Sequence, residues 1–312
     1  MRCSNRAICA MRELRRPVRQ RSYRAGLKYL MMVLDVFFPI VSFRFLWYYH
    51  GMIGFFLKKN FFDGWDNFLP LALFNSAVIL IVFLFFGLAY AVSAAPALPE
   101  LILFVCLIVI GVLLLAVSHL MSRIADYKSV SLKDIGQEIR RTWKHGALFA
   151  ILETFCWIVV EVSVPYYFSF QNFLGLFLGV TVVWIFAVIQ LSLLWFFPIR
   201  SRLESNFFKC LKKCFIVFFD NTGFTLFMLL YSVVLVILTP FLAFLVPGFS
   251  GLLLAWNNAF KLRMYKYDWI EQHPEIPIQT ARKKIPWDEL LAEDRETVGT
   301  RTIRNFIFPW KD

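Results

Sequence analysis

Two carboxylates inside an apolar run are the residues most able to do chemistry in this chain. Glu153 and Glu161 are eight residues apart, within the stretch from Ala147 to Phe168. On an α-helix this spacing separates them by about 80° around the axis and roughly 12 Å along it. Ionisable groups are costly inside a membrane, so each is a functional candidate. If both side chains face one cavity, the pair would carry protons or a cation. The structural alternative is that each glutamate hydrogen-bonds to a neighbouring helix.

Uncharged polar residues in the apolar stretches predict hydrogen bonds between helices. Gln190 is one of them, and we group it with Glu153 and Glu161 as a candidate intramembrane polar site. The others are Asn75, Ser76, Asn257 and Asn258. A GxxxG pattern at Gly175 and Gly179 predicts close approach of two helix backbones.

Recognisable signatures of enzymes are missing from the sequence. The chain has no phosphate-binding loop, no nucleophile elbow and no metal-binding spacing among its four histidines. Its six cysteines show no CxxC spacing. Cys210 and Cys214, one helical turn apart beside lysines, are expected to be ordinary helix residues, and a reactive or palmitoylated thiol is the alternative. We therefore expect no catalytic residue, cofactor or metal ion.

The composition is that of an integral membrane protein. Hydrophobic residues make up 59% of the 312 residues and charged residues only 17%. This is more apolar than a soluble domain, in which apolar content lies near half. The net charge of +12 does not indicate a nucleic-acid partner, because residues 1–28 contribute +8 of it with nine basic residues and one acid. The expected surroundings are a lipid bilayer.

Six stretches are long enough to cross a membrane, which takes about 20 apolar residues. They run from Phe68 to Ala94, Leu101 to Met121, Ala147 to Phe168, Phe173 to Phe197, Gly223 to Pro240 and Phe241 to Phe260. The turns within the three resulting pairs lack Lys and Arg, whereas the segments between pairs are basic. Because basic residues favour the cytoplasmic side, the fold class is an all-α membrane protein of three hairpins, with its C-terminus in the cytoplasm.

The N-terminal part of the membrane domain leaves two alternatives open. Residues 29–56 form either a re-entrant or interfacial piece, or an additional span. The basic arm, 1–28, either binds anionic lipid headgroups or precedes a true start at Met31 or Met32. We divide the chain into this arm, a helical membrane domain at 29–262 and a cytoplasmic tail at 263–312.

A short pattern recurs at the predicted cytoplasmic entry to each hairpin. An apolar residue, two basic residues, any residue and an aromatic occupy 57–61, 139–143 and 211–215. In the first and third copies an Asp-Asn pair comes next, Asp66-Asn67 and Asp220-Asn221; the second copy has Leu148-Phe149 instead. The pattern predicts amphipathic helices at the interface before each span. The alternative is that the pattern is not a true repeat, because basic and then aromatic residues arise independently at the cytoplasmic start of any membrane helix.

The tail ends in an apolar cluster that is unusual for a free polar segment. Phe306, Phe308 and Trp310 lie in this cluster, and we predict either docking onto the protein's own loops or docking onto a partner. Upstream, Pro286 predicts the start of a short helix through Glu293.

The chain resembles the YesL-like family of bacterial membrane proteins over roughly residues 29–266. The resemblance is carried by Val36-Phe37-Phe38-Pro39, Lys58-Lys59-Asn60-Phe61-Phe62, Val246-Pro247-Gly248 and Asn257-Asn258-Ala259-Phe260. It implies a bacterial cytoplasmic membrane location and association with carbohydrate ABC importers. We therefore predict a non-enzymatic accessory component of a transport system; the alternative is a transporter or permease with a midplane site near Glu161.

Overall fold

The computed structural model describes residues 51–95, 97–203, 206–277, 280 and 285–301, and within them every regular element is a helix. Five helical stretches are long and apolar enough to cross a membrane. They are Phe68–Ala91, Leu98–Ala125, Lys133–Ser169, Phe173–Leu203 and Thr222–Phe241. This confirms the all-helical class and the presence of five apolar helices of membrane-spanning length. The number of spans, their pairing into hairpins and the sixth span, Phe241 to Phe260, stay predictions.

We number the helices in chain order. Residues 51–66 form α1. The others are α2 (Phe68–Ala91), α3 (Leu98–Ala125), α4 (Leu132–Ser169), α5 (Phe173–Leu193), α6 (Phe196–Leu203), α7 (Phe207–Asp220), α8 (Thr222–Phe241), α9 (Gly248–Gln272), α10 (Trp287–Leu290) and α11 (Ala292–Val298). The predicted short tail helix is thus two helices meeting at Leu291.

The recurring Asp-Asn pair marks a helix break in both copies that carry it. Asn67 separates α1 from α2, and its side-chain amide donates to the Asp63 carbonyl, four residues back, at 2.9 Å. Asn221 separates α7 from α8 and donates to the Val217 carbonyl, also four residues back, at 3.1 Å. The second copy has no such pair, and α4 runs unbroken for 38 residues.

Small residues allow the hairpin helices to pack closely. A Cβ added to Gly175 would lie 2.5 Å from the Tyr167 carbonyl oxygen, and one added to Gly179 would lie 2.6 Å from the Phe168 ring. The GxxxG pattern therefore brings α5 against α4 of its own hairpin. Gly111 of α3 packs in the same manner on Ala150 of α4, 2.8 Å from an added Cβ.

Helix α9 is the centre of the bundle. It is buried along most of its length and contributes side chains to both apolar clusters. One cluster joins it to α1, α6, α7 and α8, and the other joins it to α2 and α3. The α4–α5 hairpin packs on α3 and is mostly exposed within its apolar windows, as expected for lipid-facing helices. We call the end where α3 finishes and α4 and α7 begin the basic end.

Candidate functional site

The structure brings together two of the three residues of the predicted intramembrane site. Gln190 of α5 donates a 2.8 Å hydrogen bond from its amide to the Glu153 carboxylate of α4. Glu161 does not join them, because it lies on an exposed part of α4. The described structure therefore does not bring the two glutamates together, and a cavity shared by both stays a prediction. The Glu153–Gln190 contact is the helix-joining hydrogen bond given as the alternative.

The predicted polar contacts between helices are present for three of the four remaining residues. Asn257 of α9 donates to Ser118 Oγ of α3 at 3.1 Å. Asn258 donates to Asp63 Oδ2 at 3.0 Å, which joins α9 to α1. Asn75 contacts the turn before α9, whereas Ser76 bonds only to the Ala72 carbonyl of its own helix among the hydrogen bonds described. The amides thus fix the position of α9.

A buried ion pair lies next to these amides. Lys59 Nζ is 2.8 Å from Asp63 Oδ2, one helical turn away in α1, and their side chains are 1% and 6% exposed. Burial lowers the pKa of Lys59 and raises that of Asp63, while each charge opposes the shift of the other. Lys59 Nζ also lies 3.7 Å from the centre of the Tyr127 ring. The ammonium group is therefore held by a carboxylate and an aromatic face.

A second buried ion pair joins α9 to the break between α7 and α8. Lys266 Nζ is 2.6 Å from Asp220 Oδ2 and 2.9 Å from Asn221 Oδ1. The hydroxyl group of Tyr267 donates to Asp220 Oδ2 at 3.0 Å. Arg263, which is fully buried, places its guanidinium carbon 4.0 Å from the centre of the Phe224 ring. The Asp-Asn pair of the third copy therefore anchors the cationic half of α9.

The described part of the tail covers this polar region. Asp294 of α11 is 3% exposed and accepts hydrogen bonds from Lys261 Nζ at 2.9 Å and from the Tyr265 hydroxyl at 3.1 Å. Lys58 donates to the Gly299 carbonyl at 2.8 Å. Arg301 forms an exposed ion pair with Asp66 at 3.0 Å. We call the two buried ion pairs, their amide partners and Asp294 with its donors the basic-end network.

A further polar cluster lies between α3, α4 and α6. Arg200 donates from Nε to His145 Nδ1 at 3.1 Å, and His119 Nδ1 is 3.9 Å from Glu138 Oε2. Ser118 and Ser201 are joined by a 2.8 Å bond between their hydroxyl groups. Arg200 and His119 are 6% and 5% exposed. The Glu138 carboxylate offsets part of the positive charge of Arg200, and Arg141 is a second cation near the cluster.

Other predicted site residues have different outcomes. Cys210 and Cys214 are fully buried, as expected for ordinary helix residues. A hydrogen bond with Cys210, together with burial, raises the pKa of Cys214. Phe306, Phe308 and Trp310 lie outside the described residues, and their docking stays a prediction.

The basic-end network could not be found from the apolar stretches alone. Its buried ion pairs belong to α1 and to the second half of α9, outside the predicted spans. One signal was available: Lys59 and Asp63 have the i, i+4 spacing of a helical ion pair. No comparable local signal links Lys266 to Asp220, which is 46 residues earlier.

Comparisons with protein-family models, with curated proteins and with solved structures found no match for this chain.

Proposed function

We propose that this protein is a non-enzymatic accessory component of a membrane transport system, with its basic end as the contact surface. The observation that carries the proposal is the distribution of its polar groups. In the described spans, the two glutamates do not assemble into one site, since Glu153 is bonded to Gln190 and Glu161 lies apart and exposed. The dense polar contacts are instead at the basic end, where they hold the tail against the bundle.

The buried network makes the basic end a rigid platform. Buried hydrogen bonds and ion pairs between elements favour one arrangement of those elements. Here they link α1, α9 and α11, so that residues 285–301 lie in a fixed position. Arg301 is thereby held at a defined position, and Phe306, Phe308 and Trp310 follow it in the sequence. A permease subunit of the carbohydrate ABC type is the partner that the family resemblance favours.

The orientation that suits this proposal places the basic end and the tail in the cytoplasm of a bacterial cell. Arg123, Arg200 and Lys209 lie at that end, whereas the turns at 92–97 and 170–172 carry no basic residue. A fluorescent protein fused after Asp312 should fold and fluoresce, while alkaline phosphatase at the same position should be inactive. The opposite pair of results would reverse the orientation.

Affinity purification tests the proposed association. The tagged protein, extracted in a mild detergent from its native membrane, should recover an ABC permease subunit identifiable by mass spectrometry. Truncation after Arg301 removes the aromatic residues beyond the described tail and should abolish recovery. The double change Asp288→Asn and Arg295→Gln, at an exposed ion pair of the tail, is the matched control and should leave recovery unchanged. Recovery of no transport subunit by the intact protein would refute the association.

The competing function is transport by the chain itself. It would use Glu161, the carboxylate left exposed on α4. Proteoliposomes containing only this protein should then take up substrate, and Glu161→Gln should abolish uptake. We expect no uptake of any sugar tested; uptake that depends on Glu161 would replace our proposal.

A further inference from the structure

The turn between α8 and α9 lies against the side of α2, close to the basic end of that helix. The Asn75 amide of α2 donates to the Leu245 carbonyl at 2.6 Å and to the Pro247 carbonyl at 3.0 Å. Its oxygen accepts from the Ser250 backbone N–H at 2.9 Å. Ser250 Oγ also donates to the Leu71 carbonyl at 3.0 Å. These four bonds fix the level of the turn relative to α2.

That level is far from the opposite end of the bundle. Asn75 is seven residues into α2, or about 10 Å from its first residue at 1.5 Å per residue. The helix continues through residues 76–91, roughly 24 Å further. Helix α3 begins beyond that point, after the turn at 92–97. The α2–α3 hairpin therefore extends much further from the basic end than the α8–α9 hairpin does.

The contacts of α8 give the same depth independently. Tyr231, the middle residue of α8, accepts a 2.8 Å hydrogen bond at its hydroxyl from Asn60. Asn60 adjoins the Lys59–Asp63 ion pair in α1. If α8 crossed the whole bilayer, Tyr231 would lie near the midplane. The ion pair next to its partner Asn60 would then also lie near the midplane, where charges are most costly. A shallower position leaves the ion pair at the membrane surface.

We propose that α8 and α9 form a re-entrant hairpin, whose tip ends inside the bilayer and contacts acyl chains. The tip suits that contact, because Phe241, Leu242 and Phe244 are 80%, 54% and 54% exposed. Non-helical backbone is tolerated at membrane depth only where protein groups satisfy it. Asn75 does this for the turn, which explains an amide in an otherwise apolar helix. Both ends of the hairpin are then on the basic side.

Cysteine labelling tests the depth of the tip. Single cysteines are placed in a chain whose six native cysteines are alanine, at Leu242 (the tip), Ala94 (the α2–α3 turn) and Lys209 (the basic end). A membrane-impermeant maleimide is added to sealed vesicles of each orientation. Ala94→Cys should react from one side and Lys209→Cys from the other. Leu242→Cys should react from neither side until detergent is added.

Two labelling outcomes would overturn the proposal. Labelling of Leu242→Cys from the same side as Ala94→Cys would mean that α8 and α9 both cross the membrane. Labelling from the Lys209→Cys side would place the hairpin outside the bilayer. Phe241→Cys, the most exposed tip position, repeats the test if Leu242→Cys lowers the unfolding temperature. A fluorophore on either tip cysteine should be quenched severalfold more by acyl-chain than by headgroup spin labels; the reverse order would also refute a buried tip.

Discussion

Breaking the Lys59–Asp63 ion pair from one side should be among the most damaging single changes in the described part of the chain. Lys59→Met keeps the length of the side chain but leaves the Asp63 carboxylate 6% exposed, with the Asn258 amide at 3.0 Å. Removing one partner of a buried ion pair costs about 3–5 kcal/mol, because the remaining charge stays desolvated. We expect a loss of this size in the free energy of unfolding, measured by tryptophan fluorescence in mixed micelles with increasing SDS.

The second change separates the ion pair from the packing around it. Replacing both residues, with Lys59→Met and Asp63→Leu, removes the uncompensated charge and should cost less than Lys59→Met alone. The control is Asp66→Asn, which breaks the exposed ion pair to Arg301, 46–48% exposed, and should cost roughly 0–1 kcal/mol. Single-change costs near 1 kcal/mol, adding simply in the double variant, would refute the argument that this ion pair is desolvated.

The pH dependence of Lys59→Met supplies an independent check. Burial raises the pKa of Asp63, and Lys59 opposes that rise. Without Lys59 the folded pKa should lie further above that of the unfolded chain. The folded state then retains a proton that the unfolded state has released, so the stability of Lys59→Met should increase as the pH falls from neutral toward the unfolded carboxyl pKa. A loss of stability specific to this variant over that interval would contradict the assignment.

Three further changes test other contacts. Asn75→Leu removes the donor and acceptor that serve the α8–α9 turn and should lower the unfolding temperature by several degrees, whereas Ser76→Leu, whose hydroxyl bonds within its own helix, should lower it much less. Gly179→Ala introduces a Cβ 2.6 Å from the Phe168 ring and should destabilise the α4–α5 hairpin in the same assay; Gly87→Ala, with open space around it, should be neutral or stabilising. Asp294→Ala removes the acceptor of Lys261 and Tyr265 and should speed proteolytic cleavage within 285–301 at least severalfold, and an unchanged cleavage rate would argue against tail anchoring by this carboxylate.

Apolar length was sufficient to predict five helices that are long and apolar enough to cross a membrane, because the thickness of the bilayer sets that length. The Glu153–Gln190 contact could also be predicted from the sequence, since a polar group inside an apolar helix needs a hydrogen-bond partner. The sequence could not predict whether Glu161 faces the same cavity as Glu153, because an angle of about 80° between them leaves open which face of α4 the neighbouring helix covers. The contacts of Lys266 and Asp294 depend on how distant segments fold together. Composition carries no information about them.

The recurring pattern shows how similar entry segments lead to different depths. In the first and third copies an asparagine breaks the helix and bonds to the carbonyl four residues back, whereas the second copy continues as the unbroken α4. The third copy differs from the first in the returning helix of its hairpin. That helix, α9, carries Asn258, Lys261, Arg263 and Lys266. Their partners lie at the basic end, in α1, in α11 and around the break between α7 and α8. With α9 held by those partners, the turn at its other end lies level with Asn75. The contacts of α9 at the basic end and the Asn75 bonds to its turn therefore agree with the shallow hairpin proposed above.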